Sequence, residues 1–329
     1  MVRPRAIAVL IVLLVGVAHA DAPKPDFFAR LAAAARAELA AVVAERTPRL
    51  VPPVPVRLSW KPTKLGDIEL GAPLVALGGA DLDRDGKAEL FAVTPNEVVV
   101  IAIAGKVKEV TRLPFGGTPA IPASRDVVGT IVIDNAEVVA AVSGWTNELR
   151  IGFQGAGFVA RQGDPAFLVC PPERAALVPG RNYFGTAAAP WLGMKCRGDL
   201  VDRDGYPLRI RATLAVGGKL AVSVERCAPT CQPAGSYELK SVGAAFEIAD
   251  VDRDGQPELV VSGAGAPGDP DNVKVFTAGR PEARSMFKQA RAGGVVGIAF
   301  VDGAGAGVAK VIVAVRLAGS TRIDLWRLD

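Results

Sequence analysis

Histidine is all but missing from this chain: 329 residues contain one, His19. Without histidine beyond that point there is no Ser-His-Asp triad, no histidine-activated cysteine and no HExxH metal site. A dominant charge sign is lacking as well. Lysine and arginine number 38 against 34 aspartates and glutamates, with no concentrated basic patch, so nothing favours nucleic acid as a partner. No apolar run reaches the roughly 20 residues of a membrane span. A glycine-rich phosphate loop is also absent, since Gly263-Ala-Gly265 follows a strand-like run but opens a turn, not a helix.

The longest apolar stretch, Ala6 to Val17, follows Arg3 and Arg5 and precedes Ala18-His19-Ala20. Basic head, apolar middle and small residues at the exit read as a signal peptide, residues 1–20, cleaved after Ala20. Asp21 follows where a lipoprotein would carry cysteine. The mature chain is expected to be exported, periplasmic or secreted, with no membrane span and with net charge reduced from +4 to +2 by the loss of Arg3 and Arg5. In such a compartment four cysteines read as two disulfides. Of the three pairings, Cys227–Cys231, closing a tight Ala-Pro-Thr loop, with Cys170–Cys196, bracketing a long insertion, is favoured. A four-cysteine zinc site lacks paired Cys-x-x-Cys spacing.

Residues 21–54 read as one amphipathic α-helix and a linker. Asp26 can cap a helix running to about Glu45, with Phe28, Leu31, Ala35, Leu39 and Val42 along one face. Pro48, Pro52, Pro53 and Pro55 then mark the linker. From residue 55 to 329 the pattern is all-β: short Val/Ile/Leu-rich runs between Gly, Pro and Asp-Gly turns. The runs recur, because Asp83, Asp134, Asp202, Asp252 and Asp302 stand at spacings of 51, 68, 50 and 50 residues. One enlarged step places the insertion at about 163–196. Four strands per period of about 50 fit a β-propeller blade, giving five blades, with room for a sixth in the insertion. The last unit supplies three strands, Val295–Val301, Ala309–Val315 and Thr321–Leu328, and the missing one is expected from Val56–Trp60, an N-terminal strand otherwise unpaired just before the first blade, which closes the ring.

Two of the repeated turns are strongly acidic: Asp81-Leu-Asp83-Arg-Asp85-Gly86-Lys87-Ala-Glu89 and Asp250-Val-Asp252-Arg-Asp254-Gly255-Gln256-Pro-Glu258. Four carboxylates in one short loop repel each other unless a cation intervenes. All-oxygen donors suit a hard divalent ion, and Ca2+ at two sites is expected. An EF-hand would need glutamate at the twelfth position and helices on both sides; Ala92 and Val261 stand there, between strands. The turns at Asp134, Asp202 and Asp302 retain too few acids and read as hairpins.

The run Asp250 to Pro267 followed by Asn272-Val-Lys-Val-Phe276 resembles the FG-GAP and VCBS repeat families, whose relatives include the propeller of integrin α-chains. The resemblance covers about residues 55–329. It implies calcium held between the first two strands of a blade by Asp81, Asp83 and Asp85, the Lys87 carbonyl and Glu89, and by Asp250, Asp252, Asp254, the Gln256 carbonyl and Glu258. This chain departs from the pattern with Glu in the ninth place and with Arg84 and Arg253 between the second and third aspartates.

The composite expectation is an exported, calcium-stabilised propeller that binds a protein or glycan partner without catalysis. The insertion is the first candidate surface, because long loops on rigid scaffolds carry binding. Trp145, Trp191, Tyr183 and Phe184 are candidate recognition aromatics, and Trp60 and Trp326 are expected in the core. Two alternatives stay open. One is a glycoside hydrolase using two carboxylates among Asp126, Glu137, Asp164, Glu225 and Asp324. The other is an envelope-assembly scaffold docking through the N-terminal helix.

Overall fold

The computed structural model describes residues 31, 32, 35, 36, 38, 58–116, 128–134, 137–143, 145–170, 173–176, 194–201, 205–215, 218–227, 230–252, 257–265, 269–278, 285–301, 310–317 and 319–329. The chain divides into two compact units, Met1–Arg49 and Leu50–Asp329. In the first, Leu31, Ala32, Ala35, Arg36 and Glu38 are helical, within the span expected; the signal peptide and linker lie outside the described residues. No helix among the described residues is long and apolar enough to cross a membrane.

The second unit is a five-bladed β-propeller of four-stranded antiparallel sheets. Its first strand, β1 (Pro62–Glu69), belongs to the last blade. Blade 1 is β2 (Ala76–Ala80), β3 (Glu89–Val93), β4 (Glu97–Ala102) and β5 (Lys108–Pro114). Blade 2 is β6 (Gly129–Asp134), β7 (Glu137–Val142), β8 (Leu149–Gln154) and β9 (Gly157–Gln162). A hairpin of β10 (Ala166–Cys170) and β11 (Glu173–Ala176) interrupts the series. It lies in the insertion, and among the described residues it adds two strands beside the five blades. Blade 3 is β12 (Met194–Val201), β13 (Pro207–Ala215), β14 (Lys219–Cys227) and β15 (Cys231–Leu239); blade 4 is β16 (Val242–Ala249), β17 (Glu258–Gly263), β18 (Asp271–Thr277) and β19 (Ser285–Arg291). Blade 5 is β20 (Gly294–Val301), β21 (Lys310–Arg316) and β22 (Arg322–Leu328), completed by β1.

The second strands of blades 1, 2, 4 and 5 are buried on both faces, which is why they read as continuous apolar runs; that of blade 3 alternates instead. Within β3, Leu90 and Ala92 join the slab against blade 5, while Phe91 and Val93 join the slab against blade 2. Likewise Leu259 and Val261 of β17 face blade 3, and Val260 between them faces blade 5. First strands of neighbouring blades lie against one another, β2 with β6 and β20, and β16 with β12 and β20. Small residues make that approach possible: a Cβ on Gly79 would sit 2.6 Å from the Val301 side chain and 3.1 Å from the Phe300 carbonyl oxygen.

The closing strand is not the one that hydrophobicity selects. Leu58 to Trp60 form no strand; Leu58 and Trp60 pack instead on the slab between blades 4 and 5. The fourth place is taken by Pro62-Thr-Lys-Leu-Gly-Asp-Ile-Glu69, paired from Pro62↔Leu328 to Glu69↔Arg322. An outermost strand is largely exposed, so its sequence is polar, and a search for Val/Ile/Leu runs passes over it. Lys64 bonds Asp324 at 2.8 Å, Asp67 pairs with Arg322, and Glu69 accepts from the Thr321 hydroxyl. Both cysteine pairs are bonded as favoured, Cys170–Cys196 and Cys227–Cys231. The first ties the hairpin β10–β11 to β12.

Candidate metal centres

Asp83 and Asp252 fall between the first and second strands of their blades and Asp134 ends the first strand of blade 2, so at these three positions the sequence period and the structural repeat coincide. In blade 1 this turn is Asp81 to Ala88. Leu82 is buried, whereas Asp81 and Asp83 on either side of it stay partly exposed. Leu82 is 7% exposed and packs in the slab between blades 1 and 2. Val251, fully buried between blades 4 and 5, does the same between Asp250 and Asp252. The apolar residue between the first two aspartates is therefore an anchor that motif spacing does not single out; its signal is an apolar side chain inside an otherwise polar loop.

The turn is shaped by its own carboxylates. Asp83 Oδ1 accepts from the Asp85 amide at 3.0 Å and Asp81 Oδ2 from the Gly86 amide at 3.0 Å. Arg84 and Gly86 adopt left-handed backbone, φ 59° and 85°, and the Arg84 side chain is exposed. Glutamate enters from the adjoining strand: Glu89 opens β3 opposite Ala80, and Glu258 opens β17 opposite Ala249. Both are buried, 6% and 1% exposed.

Carboxylate oxygens of Asp81, Asp83 and Glu89 lie within 4.8 Å of one another, and those of Asp250, Asp252 and Glu258 do likewise. In the first trio Asp81 Oδ1 and Glu89 Oε2 are buried and have no hydrogen-bond partner. Burial, and then the charges of Asp83, Asp81 and Asp85, push the Glu89 carboxyl up to about 7. In the second, Glu258 Oε2 accepts from the Val251 amide at 2.9 Å. Two ligands of one calcium ion stand no more than about 5 Å apart, twice the usual Ca–O distance. Each trio meets that limit, and an all-carboxylate donor set with no sulfur or imidazole suits a hard cation.

Asp85 stands apart from the trio. It is exposed, and its oxygens accept from the Lys87 amide at 2.8 Å and the Lys87 ammonium at 3.1 Å. Those bonds, the backbone one first, hold its carboxyl below the usual range. The Lys87 side chain is exposed. Asp254 and Gln256 lie outside the described residues, as do Asp202 and Asp302.

Three of the five carboxylates considered for hydrolysis are in ion pairs. Glu137 meets Arg161 at 3.0 Å and Arg150 at 3.1 Å, Glu225 meets Arg209 at 3.5 Å, and Asp324 meets Lys64. Burial raises the Glu137 carboxyl, but Arg161 and Arg150 outweigh it and hold it below the ordinary value. Asp164 is exposed, and Asp126 lies outside the described residues. Of the aromatics, Trp145 is no free recognition surface: it stacks on Phe115 at 5.5 Å and donates its indole N–H to the Pro95 carbonyl at 2.8 Å. Trp326 lies on β22 against the slab between blades 4 and 5, and Trp191, Tyr183 and Phe184 are outside the described residues.

No family model and no curated protein matches the sequence. Among solved structures, AofleA from Arthrobotrys oligospora is similar at TM-score 0.48 and 11% identity, over 80% of this chain and 86% of that one. S. cerevisiae core factor is similar at TM-score 0.32 and 10% identity, over 79% of this chain and 48% of that one. Likeness at this level carries no functional inference.

Proposed function

We propose that the chain is an exported, calcium-stabilised propeller of the FG-GAP/VCBS type that binds a protein or glycan partner and catalyses nothing. One observation carries the calcium reading: a buried glutamate and two loop aspartates converge twice, at equivalent turns of blades 1 and 4, with Asp81 Oδ1 and Glu89 Oε2 left without hydrogen bonds. A buried polar atom without a partner costs about 1–3 kcal/mol, more when charged, and a bound cation removes that cost. Asp81, Asp83 and Glu89 would hold one ion, and Asp250, Asp252 and Glu258 the other. The ion would supply positive charge to which the carboxylate oxygens of each trio bind, fixing the turn between first and second strands.

A binding role is supported by the rigid ring and by the carboxylates of Glu137, Glu225 and Asp324 already being neutralised by cations. A glycosidase needs one carboxyl kept protonated near neutral pH, and the pull on Glu137 is the opposite. Export is supported by the two bonded cysteine pairs, which need an oxidising compartment.

Thermal unfolding with and without chelator tests the calcium reading. Millimolar calcium should stabilise by about 1–3 kcal/mol over two sites of ordinary extracellular affinity. Asp83→Ala with Asp252→Ala should abolish the response; a double variant that still responds like the parent refutes it. Glycan-array binding, together with turnover assays on a glycoside panel, separates a binding module from a hydrolase.

A further inference from the structure

Four of the five joints between blades are closed by an apolar slab: one between blades 5 and 1, one between 1 and 2, one between 3 and 4, and one between 4 and 5. Among the described residues no such slab joins blade 2 to blade 3. The first strands repeat the pattern. They lie against one another at the same four joints, and among the described residues no comparable pairing joins β6 to β12.

The sequence of blade 3 accounts for the difference. On β13, Leu208, Ile210 and Ala212 enter the slab with blade 4. Arg209, Arg211 and Thr213 alternate with them and project from the opposite face, together with their partners on β14, Glu225, Ser223 and Ala221. None of these six is buried. A face of guanidinium, carboxylate and hydroxyl groups gains little by leaving water, so it does not hold a neighbouring blade as the apolar faces do.

A covalent link stands where the slab is missing. Just past β9 the chain is held to blade 2: the Gly163 amide donates to the Glu148 carbonyl at 2.8 Å, the Glu148 amide to the Asp164 carbonyl at 3.1 Å, and Asn147 Nδ2 to the Gly163 carbonyl at 2.9 Å. From there β10 lies against β12 and ends at Cys170, bonded to Cys196 of blade 3. Cys196 stands opposite Arg211, on the same polar face. The two cysteines are 26 positions apart in sequence, so the bond bypasses most of the insertion. It leaves a short path between a segment fixed to blade 2 and the first strand of blade 3. Cys227–Cys231, by contrast, closes one hairpin within blade 3 and crosses no joint.

We infer that the Cys170–Cys196 bond is a redox-sensitive clasp: it holds blades 2 and 3 together in place of packing, and its reduction opens the ring at that joint alone. The inference is independent of the calcium reading. Cys170 is buried and Cys196 half-buried, so a dithiol reductant reaches the Cys196 sulfur. One reductant thiolate bonds to it as the S–S bond breaks and Cys170 leaves as a thiolate. The second reductant thiolate then displaces Cys196, and both cysteines take up the protons that the dithiol gave, leaving two thiols and a cyclic disulfide.

The test is hydroxyl-radical footprinting of the full mature chain, folded and oxidised, before and after treatment with dithiothreitol. Phe167 and Val139 report on the joint, since Val139 alternates with the blade 2 residues that face blade 1; Phe91, Leu259 and Leu325 report on three of the slabs. All five are buried. Reduction should raise oxidation of Phe167 and Val139 severalfold, leave the other three as they were, and reverse on reoxidation. Cys227→Ser with Cys231→Ser should respond as the parent does, whereas Cys170→Ser with Cys196→Ser should show the opened pattern without reductant. Where the latter variant does not fold, the reduced parent supplies the reading. Unchanged labelling of Phe167 and Val139 overturns the inference, because the joint is then held by packing. A severalfold rise at all five residues overturns it as well, because the bond then supports the whole ring instead of one joint.

Discussion

Replacing Glu89 by glutamine probes the crowding of the blade 1 turn directly. In the metal-free chain burial and three neighbouring aspartates lift the Glu89 carboxyl from 4.5 to about 7. At about 1.4 kcal/mol per tenfold change in proton affinity, ionising it in the folded state costs about 3 kcal/mol at pH well above 7. The folded chain therefore holds a proton that the unfolded chain releases between about pH 4.5 and 7, and stability must fall as pH rises through that window. Carboxyls held low by partners, Glu69, Asp85 and Glu137, act in the opposite direction but below the ordinary carboxylate range, so they do not mask the effect. For a chain of this size about 3 kcal/mol is roughly 5–10 °C in melting temperature. Melting curves of metal-stripped protein from pH 5 to 8 should decline for the parent and stay flat for Glu89→Gln, which becomes the more stable of the two at pH 8. Adding calcium should flatten the parent's curve and leave the variant's blade 1 site unresponsive. A parent curve that is level or rises from pH 5 to 8, or a variant no more stable at pH 8, refutes the crowding of these carboxylates.

Further outcomes test the ring. Gly79→Ala pushes a methyl group against the Val301 side chain and the Phe300 carbonyl oxygen, and overpacking of this kind should cost about 1–3 kcal/mol in denaturant unfolding; an unchanged midpoint would mean that the first strands of blades 1 and 5 are not in close contact. Lys64→Ala removes a half-exposed ion pair with Asp324 and should change stability by less than about 1 kcal/mol. Deleting residues 58–69, by contrast, removes β1 and leaves β22 as an open edge, which should produce aggregation visible by light scattering.

Much of this architecture is legible in the sequence because it is written in local chemistry that repeats. Aspartates recurring at a step of about 50 residues, stretched once to 68, mark one position per blade, and doubly buried strands such as Glu89–Val93 announce themselves as unbroken apolar runs. Four cysteines with one short and one long gap point to the pairing that the structure contains. The closing strand escapes sequence reading for a physical reason: Pro62–Glu69 lies at the outer edge, where water imposes a polar sequence, while the more apolar Leu58 and Trp60 serve as packing beside it. Trp145 misleads because a nearby turn does not reveal the Phe115 ring that covers it.

The charge balance of each turn is decided only in three dimensions. Chain order alone supplies acids at the repeated turns, and nine-residue spacing alone brings Glu89 and Glu258 into consideration. Whether those acids face an arginine or an apolar side chain depends on the residue that strand pairing sets across from them, and that residue is Val100 in blade 1, Arg150 in blade 2 and Val275 in blade 4. Cross-strand register is a property of the folded sheet, not of any local stretch. It separates the turns that look across at valine from the one that meets its own guanidinium.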